Sequence, residues 1–170
     1  MKRLLSILGA ITLVGTSTTS LVACNKPQYS EDELKKEKEK HKIDTKDQTI
    51  KNNLEWMASQ EKPFDNVDNK YYYVVWRGNK NDSWRLIKFQ NNQQDKLKNK
   101  DEYDNYKLAL VQDLDWNNTF DLTIQKNNLK WIFWHKDIQY FKAVYRWNLE
   151  DTQEPNLILD ENNNIKVNGE

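Results

Sequence analysis

The sequence is short of the residues that most catalytic chemistry needs. Its 170 residues include one cysteine, Cys24, so no disulfide can close within the chain. Histidine occurs twice, as His41 and His135, and no H-x-x-x-H pair is present to hold zinc on one helix face. Beyond residue 23 the glycines are Gly78 and Gly169 alone, which leaves no glycine-rich phosphate cradle. The serines of that stretch are Ser30, Ser59 and Ser83, none of them in a G-x-S-x-G turn. An excess of one charge is missing as well. Lys and Arg total 26 against 26 Asp and Glu, so there is no basic footprint for nucleic acid. No catalytic residue, metal ligand or cofactor site follows from this inventory.

The N-terminus is the most informative stretch that is present. Met1-Lys2-Arg3 is short and positive, and Leu4 to Val14 is apolar and uncharged. A membrane span needs about 20 apolar residues, whereas a signal h-region runs to roughly 7–15. The Leu4–Val14 run fits the second. A small polar stretch, Thr16 to Ser20, leads to Leu21-Val22-Ala23-Cys24, and the chain is polar and charge-rich afterwards. This order of regions resembles the bacterial lipoprotein signal, in which an aliphatic residue, a spacer and a small residue precede the cysteine. The resemblance implies diacylglycerol on the Cys24 sulfur, cleavage between Ala23 and Cys24, and anchoring on the extracellular face of the cell membrane. Two acyl chains suffice for stable anchoring where one is marginal. An ordinary secretory signal with a chance cysteine is the alternative.

Asparagine and lysine are abundant. With that bias, Met1-Lys-Arg-Leu-Leu-Ser-Ile-Leu-Gly-Ala10, Ser17-Thr-Thr-Ser-Leu-Val-Ala-Cys24 and Phe141-Lys-Ala-Val-Tyr-Arg-Trp147 resemble mollicute lipoproteins, those of spiroplasmas in particular. That resemblance implies a context rather than an activity. If Cys24 carries lipid, the rest of the chain has no thiol and must fold on packing alone. Cleavage also removes Lys2 and Arg3 and no acid, which moves the formal charge from +0 to −2.

Residues 24–46 read as a charged, flexible or partly helical tether. Ser30 and Glu33 have capping-box spacing, and Glu31–Lys35 is an opposite-charge pair one helical turn apart. His41 falls in this tether, where nothing is expected to orient it. Residues 47–170 read as one β-rich domain. It is expected to open with a short helix from Asp47 to Gln60, whose stripe is Ile50, Leu54, Met57 and Ala58 and which Pro63 ends.

The period then changes to two. Tyr71–Arg77 and Trp84–Gln90 are rich in aromatic and β-branched residues and flank turn chemistry at Gly78–Ser83, which predicts a hairpin. Tyr72, Val74 and Trp76 should share one face of the first strand, and Arg85, Ile87 and Phe89 one face of the second. Asn91–Asn105 reads as a loop. Tyr106–Val111 fits a helix through Tyr103, Tyr106, Leu110 and Leu114 and a strand through Tyr106, Leu108 and Leu110; the strand is preferred. Thr119–Gln125 alternates with Phe120, Leu122 and Ile124 inward, and Lys126–Asn128 is a turn. Leu129–His135 and Gln139–Trp147 are further strands. Asn156–Leu159 and Ile165–Val167 form a small terminal hairpin or a frayed tail. The expected fold is mainly β: an antiparallel sheet, sandwich or partly open barrel.

Two acidic stretches invite a metal. Asp113-x-Asp115-x-Asn117 copies the opening of a calcium loop but has Asn118 where glycine is needed and Ile124 where a glutamate is needed. Asp160-x-Asn162-x-Asn164 does so more faintly, and both read as solvated turns. The aromatics are the unusual asset, with seven Trp, eight Tyr and five Phe. Trp131 and Trp134 differ in parity, so one should face the core and the other the surface. Trp134 and Tyr72 are the candidate exposed rings, able to stack on a sugar or receive a partner's side chain. The function expected from all this is a non-enzymatic surface module that binds a partner protein or host surface. Binding of a glycan or small molecule through exposed aromatics is the alternative, and a hydrolase with dispersed carboxylates stands behind both.

Overall fold

The computed structural model describes residues 28–170 except 97, 128, 129 and 151. Among the described residues, ten strands form three antiparallel sheets and no closed barrel. The first sheet orders β1 (Leu54–Trp56), β8 (Phe141–Trp147), β2 (Tyr71–Trp76) and β3 (Arg85–Gln90) as β1-β8-β2-β3. The second runs β4 (Asp101–Tyr103), β5 (Tyr106–Asp113), β6 (Thr119–Lys126) and β7 (Lys130–Phe133) in chain order. A two-stranded ribbon pairs β9 (Leu157–Leu159) with β10 (Ile165–Val167). The ambiguous Tyr106–Val111 segment is therefore strand.

Alternation along β2 explains the layering, because successive side chains on a strand point to opposite faces. Tyr72, Val74 and Trp76 face the second sheet and pack with Phe64, Leu108, Leu122 and Ile124, all buried. Tyr73 and Val75 face the other way, toward Ile43, Ile50, Leu54, Tyr145, Trp147, Leu157 and Ile165. The central sheet is thus covered on both faces, by the second sheet on one side and by an N-terminal segment and the β9–β10 ribbon on the other. A side chain such as Val, Leu or Phe contributes about 1.5–3 kcal/mol when fully buried, so aromatic packing substitutes for disulfides here. Arg85 shares the core-facing parity of Trp76 because Asp101 on β4 takes both. Its carboxylate accepts from Trp76 Nε1 at 3.1 Å and from Arg85 Nε at 2.9 Å, which clamps the two sheets.

Scarce glycine is replaced by asparagine where the backbone turns left-handed. Asn69, Asn117, Asn118, Asn127 and Asn163 all have φ between 49° and 60°, a region that Asn and Asp tolerate better than other side chains. Asn117 and Asn118 lie in the turn whose acid, Asp113, caps the backbone N–H of Asp115 at 3.0 Å. Asp160 caps Asn162 and Asn164 at 2.8 Å each, so that stretch is the solvated turn expected of it.

Two expectations are corrected. Asp47–Gln60 is not one helix. α2 spans only Gln48–Asn53, capped by Asp47, and Leu54 begins an edge strand that pairs with β8, Leu54 opposite Trp147. Asn52 and Asn53 are weak helix formers, and strand pairing satisfies the backbone beyond them. Ile50, Leu54, Met57 and Ala58 are all buried as expected, but Ile50 and Leu54 join one core and Met57 the other. The charged segment before it is helical over α1 (Glu31–Lys40), with the Ser30–Glu33 capping box formed. It is not free of the domain: Lys38 pairs with Glu55 and Glu61, Tyr29 and Gln60 exchange two hydrogen bonds, and Ile43 is buried.

Candidate binding cleft

The two aromatics expected at the surface are inside. Tyr72 is 0 % exposed, its hydroxyl donates to Asp68 at 2.7 Å, and burial followed by that carboxylate pushes the phenol above its usual range. Trp134 is 4 % exposed, and Trp131, of opposite parity, is 45 % exposed. The two rings do take opposite sides, and it is Trp131 rather than Trp134 that faces solvent. Ile132 takes the core side of β7, and Trp134, two residues on, continues it, with its N–H donating to the Leu122 carbonyl at 2.9 Å. Cys24 and Ala23 lie outside the described residues.

Trp134 nonetheless lines, from within, a cleft where more exposed rings gather. This cleft of about 480 Å³ opens between Trp56 and Trp84. Trp56 ends β1, and His41 lies flat on it, ring centroids 4.3 Å apart and planes 13° from parallel. Tyr29 meets the same indole edge-on at 6.4 Å. Opposite, the Arg77 guanidinium sits 4.4 Å over Trp84, and half-exposed Ile138 closes the rim. Ala58, Ala143 and Val144 form an apolar floor.

Local backbone features aim these groups. The pairing of β2 with β8 shifts register between Val75 and Trp76, so that Val75 opposes Ala143 and Trp76 opposes Phe141. Lys142 is the unpaired residue of this bulge. Bulges re-aim side chains and cluster near functional sites. Here the bulge turns Lys142 outward, where it lines both this cleft and a neighbouring one of about 710 Å³. Its Nζ donates to the Asn162 carbonyl at 2.8 Å. His41 stands in the wall between the two clefts, held by more than its stacking. The Tyr145 hydroxyl donates to the His41 carbonyl at 2.7 Å, and His41 Nδ1–H donates to the Glu37 carbonyl at 2.8 Å. The expectation of an unoriented His41 is thereby overturned, because the helical part of the tether packs on the domain.

The charge of the cleft is one-sided. No Asp or Glu is among the described residues that line it, whereas Arg77 and Lys142 are. The neighbouring cleft mixes Asp44, Asp160 and Glu170 with its lysines.

The second histidine sits in a different cluster. His135 Nδ1 is 2.7 Å from Asp121 and Nε2 is 3.4 Å from Asp113, both acids almost fully buried. Lys136 donates to Asp113 at 2.7 Å, and Trp116 stacks on the imidazole at 3.9 Å. Asp113 is held below the usual carboxylate range: burial opposes ionisation, and the Lys136 ammonium and the Asp115 N–H outweigh it. With one ring nitrogen bonded to Asp121 and the other near Asp113, this group joins β5, β6 and the turn after β7. Among the described residues no three His, Cys, Asp or Glu side chains gather to hold a metal ion.

Sequence reasoning missed Trp56 because it lay off the stripe of a helix that does not form. Trp84 was legible in part. It has the opposite parity to Arg85, Ile87 and Phe89, so it had to leave the main core. Compared with known proteins, the chain matches no family model, no curated protein and no solved structure.

Proposed function

We propose that this chain is a lipid-anchored surface protein that binds a small ligand in the cleft between Trp56 and Trp84. The observation that carries the binding role is the cleft itself. It is a solvent-open concavity with two Trp rings, a stacked His41 and an apolar floor, and such concave, mostly apolar sites with a few polar groups are where small ligands bind. Binding fits the residues better than catalysis, since no carboxylate lines the cleft and His41 Nδ1 is already committed to Glu37. Adhesion through a flat aromatic face has less support. The large exposed apolar side chains, Tyr103, Leu114, Trp131 and Ile138, belong to four separate segments of the chain, and of these only Ile138 lines the cleft. The anchor rests on the Leu21-Val22-Ala23-Cys24 lipobox. Among the described residues no helix is long and apolar enough to cross a membrane, which says nothing about strands.

The test has two readouts. In cells fed labelled fatty acid, the wild-type chain should take up label and Cys24→Ser should not; label that persists in Cys24→Ser refutes the anchor. In a thermal-shift screen of glycans and small metabolites, a ligand raises the melting temperature by mass action on the folded state. Compounds that do so should lose the effect in Trp84→Ala and in Trp56→Ala. Stabilisation that is identical in both variants refutes the cleft.

A further inference from the structure

The sign of the charge around the cleft narrows what can occupy it. We infer that its ligand is an anion with an apolar, ring-sized body: the body lies between the Trp56 and Trp84 rings, and a single carboxylate, phosphate or sulfonate faces Arg77. This deepens the binding role proposed above and rests on it.

Arg77 carries the inference. Arg85 is paired with Asp101 at 2.9 Å and Arg146 with Glu55 at 2.8 Å. Among the described residues Arg77 has no carboxylate partner at all. Its Nε donates to the Gln139 carbonyl at 3.0 Å and one Nη1–H to the Lys80 carbonyl at 2.6 Å, both neutral acceptors. A guanidinium offers five N–H donors in a fixed fork, so three remain. The two carbonyls and the Trp84 face hold the group in place where it lines the cleft. Such a held guanidinium loses little further freedom on meeting an anion, and charge-assisted, bidentate bonds are the strong ones. Lys142 adds a second positive charge at the rim, although its Nζ is partly engaged by Asn162 and lies near Asp160. A cationic ligand would meet Arg77, Lys142 and no acid in the cleft. A neutral one would leave the guanidinium without a partner of opposite sign.

The test compares two dyes that share a fused-ring body and differ in charge. Anilinonaphthalene sulfonate carries the anion, and phenylnaphthylamine lacks it. Each is titrated by fluorescence into the chain from residue 24 onward, which contains every described element, with Cys24→Ser so that no acyl chain competes. The sulfonate should bind about 10-fold or more tightly than the neutral dye, the scale of a charge-assisted hydrogen bond. Arg77→Gln should abolish that preference and leave the neutral dye within about twofold, while Arg77→Lys should retain part of it. If Arg77→Gln does not fold, added salt replaces it: the sulfonate's affinity should fall with ionic strength and the neutral dye's should not. Equal affinity of the two dyes, with no effect of Arg77→Gln or of salt, overturns the anion inference and leaves the cleft standing. Failure of both dyes to saturate, or saturation unaffected by Trp84→Ala, overturns the cleft and the inference with it.

Discussion

Gly78→Ala should destabilise the protein, and the reason lies in space rather than in backbone freedom. Gly78 follows β2 by two residues and is buried, and its Cα lies against the Tyr106 ring at the start of β5. A methyl group built there would overlap Tyr106 Cγ and Cδ2 and lie 2.9 Å from its Cβ. Carbon atoms in contact sit about 3.5–4.0 Å apart, so the ring would have to retreat by about 1 Å or more. It has little room. Tyr106 is 6 % exposed, it belongs to the main core, and its backbone pairs with both Tyr103 and Lys126. Forcing a methyl group into a filled site costs about 1–3 kcal/mol. Against this, alanine restricts the unfolded chain and recovers about 0.4–1 kcal/mol. The net loss is about 1–2 kcal/mol, a fall in melting temperature of roughly 3–8 °C for a domain of this size. Thermal unfolding followed by tryptophan fluorescence measures it. The decisive arm is Gly78→Ala in a Tyr106→Ala background, where the ring is gone and the alanine should be neutral or mildly stabilising. A Gly78→Ala protein that melts at or above the wild-type temperature, or a double variant whose loss is the simple sum, refutes the close packing of the two sheets at this point.

Two further outcomes follow from the charged clusters. Glu55 is held below its ordinary value of 4.5: burial opposes ionisation, and Lys38, Asn148 and Arg146 outweigh it. A carboxyl depressed by folding stabilises the folded state above the unfolded pKa, and that contribution is lost as pH falls through the folded value. α1 should therefore undock below about pH 4.5, seen as a change in Trp56 fluorescence as His41 leaves its face, and Glu55→Gln should show the undocked signal already at neutral pH. A flat signal down to the acid limit of the fold contradicts it. Asp121→Ala removes the acceptor of both the His135 backbone N–H at 2.9 Å and its ring nitrogen at 2.7 Å. Leaving a buried donor without its acceptor costs about 1–3 kcal/mol, which urea unfolding should register as a lower midpoint at unchanged slope.

Much of the sheet structure was legible because its signals are local. The β2–β3 hairpin, the alternation of Thr119–Gln125 and the terminal ribbon each announce themselves within about ten residues through β-branched and aromatic residues and turn chemistry. What failed was whatever depends on partners distant in sequence. Leu54–Trp56 looks helical on its own and becomes strand only because β8, some ninety residues later, offers an edge. Tyr72 and Trp134 looked like candidates for exposure because a strand shows which residues share a face but not how many faces are covered. Both faces of the central sheet are covered, so aromatic residues of either parity on β2 are buried. The cleft was the least legible feature. Its rings come from residues 29, 41, 56, 84, 134 and 141, a set with no common period and no motif.

The docked N-terminal segment changes what the proposed anchor would do. A free tether would lift a binding site away from the lipid and let it search. Here Tyr29 N–H donates to Gln60 Oε1 at 2.7 Å, and Gln60 Nε2 donates back to the Tyr29 carbonyl at 2.8 Å. Tyr29 is also a wall of the cleft. Only four residues lie between it and Cys24, and five Cα–Cα steps of at most about 3.6 Å give a span of at most about 18 Å. With lipid on Cys24, Tyr29 would be held within that distance of the anchored residue, and α1 would serve as a brace across Glu55 and Glu61 instead of a spacer. The same ion pairs that fix α1 also set His41 against Trp56. A lipid on Cys24, if carried, would therefore be coupled to the shape of the cleft through one short helix, and loosening Lys38 would disturb both together.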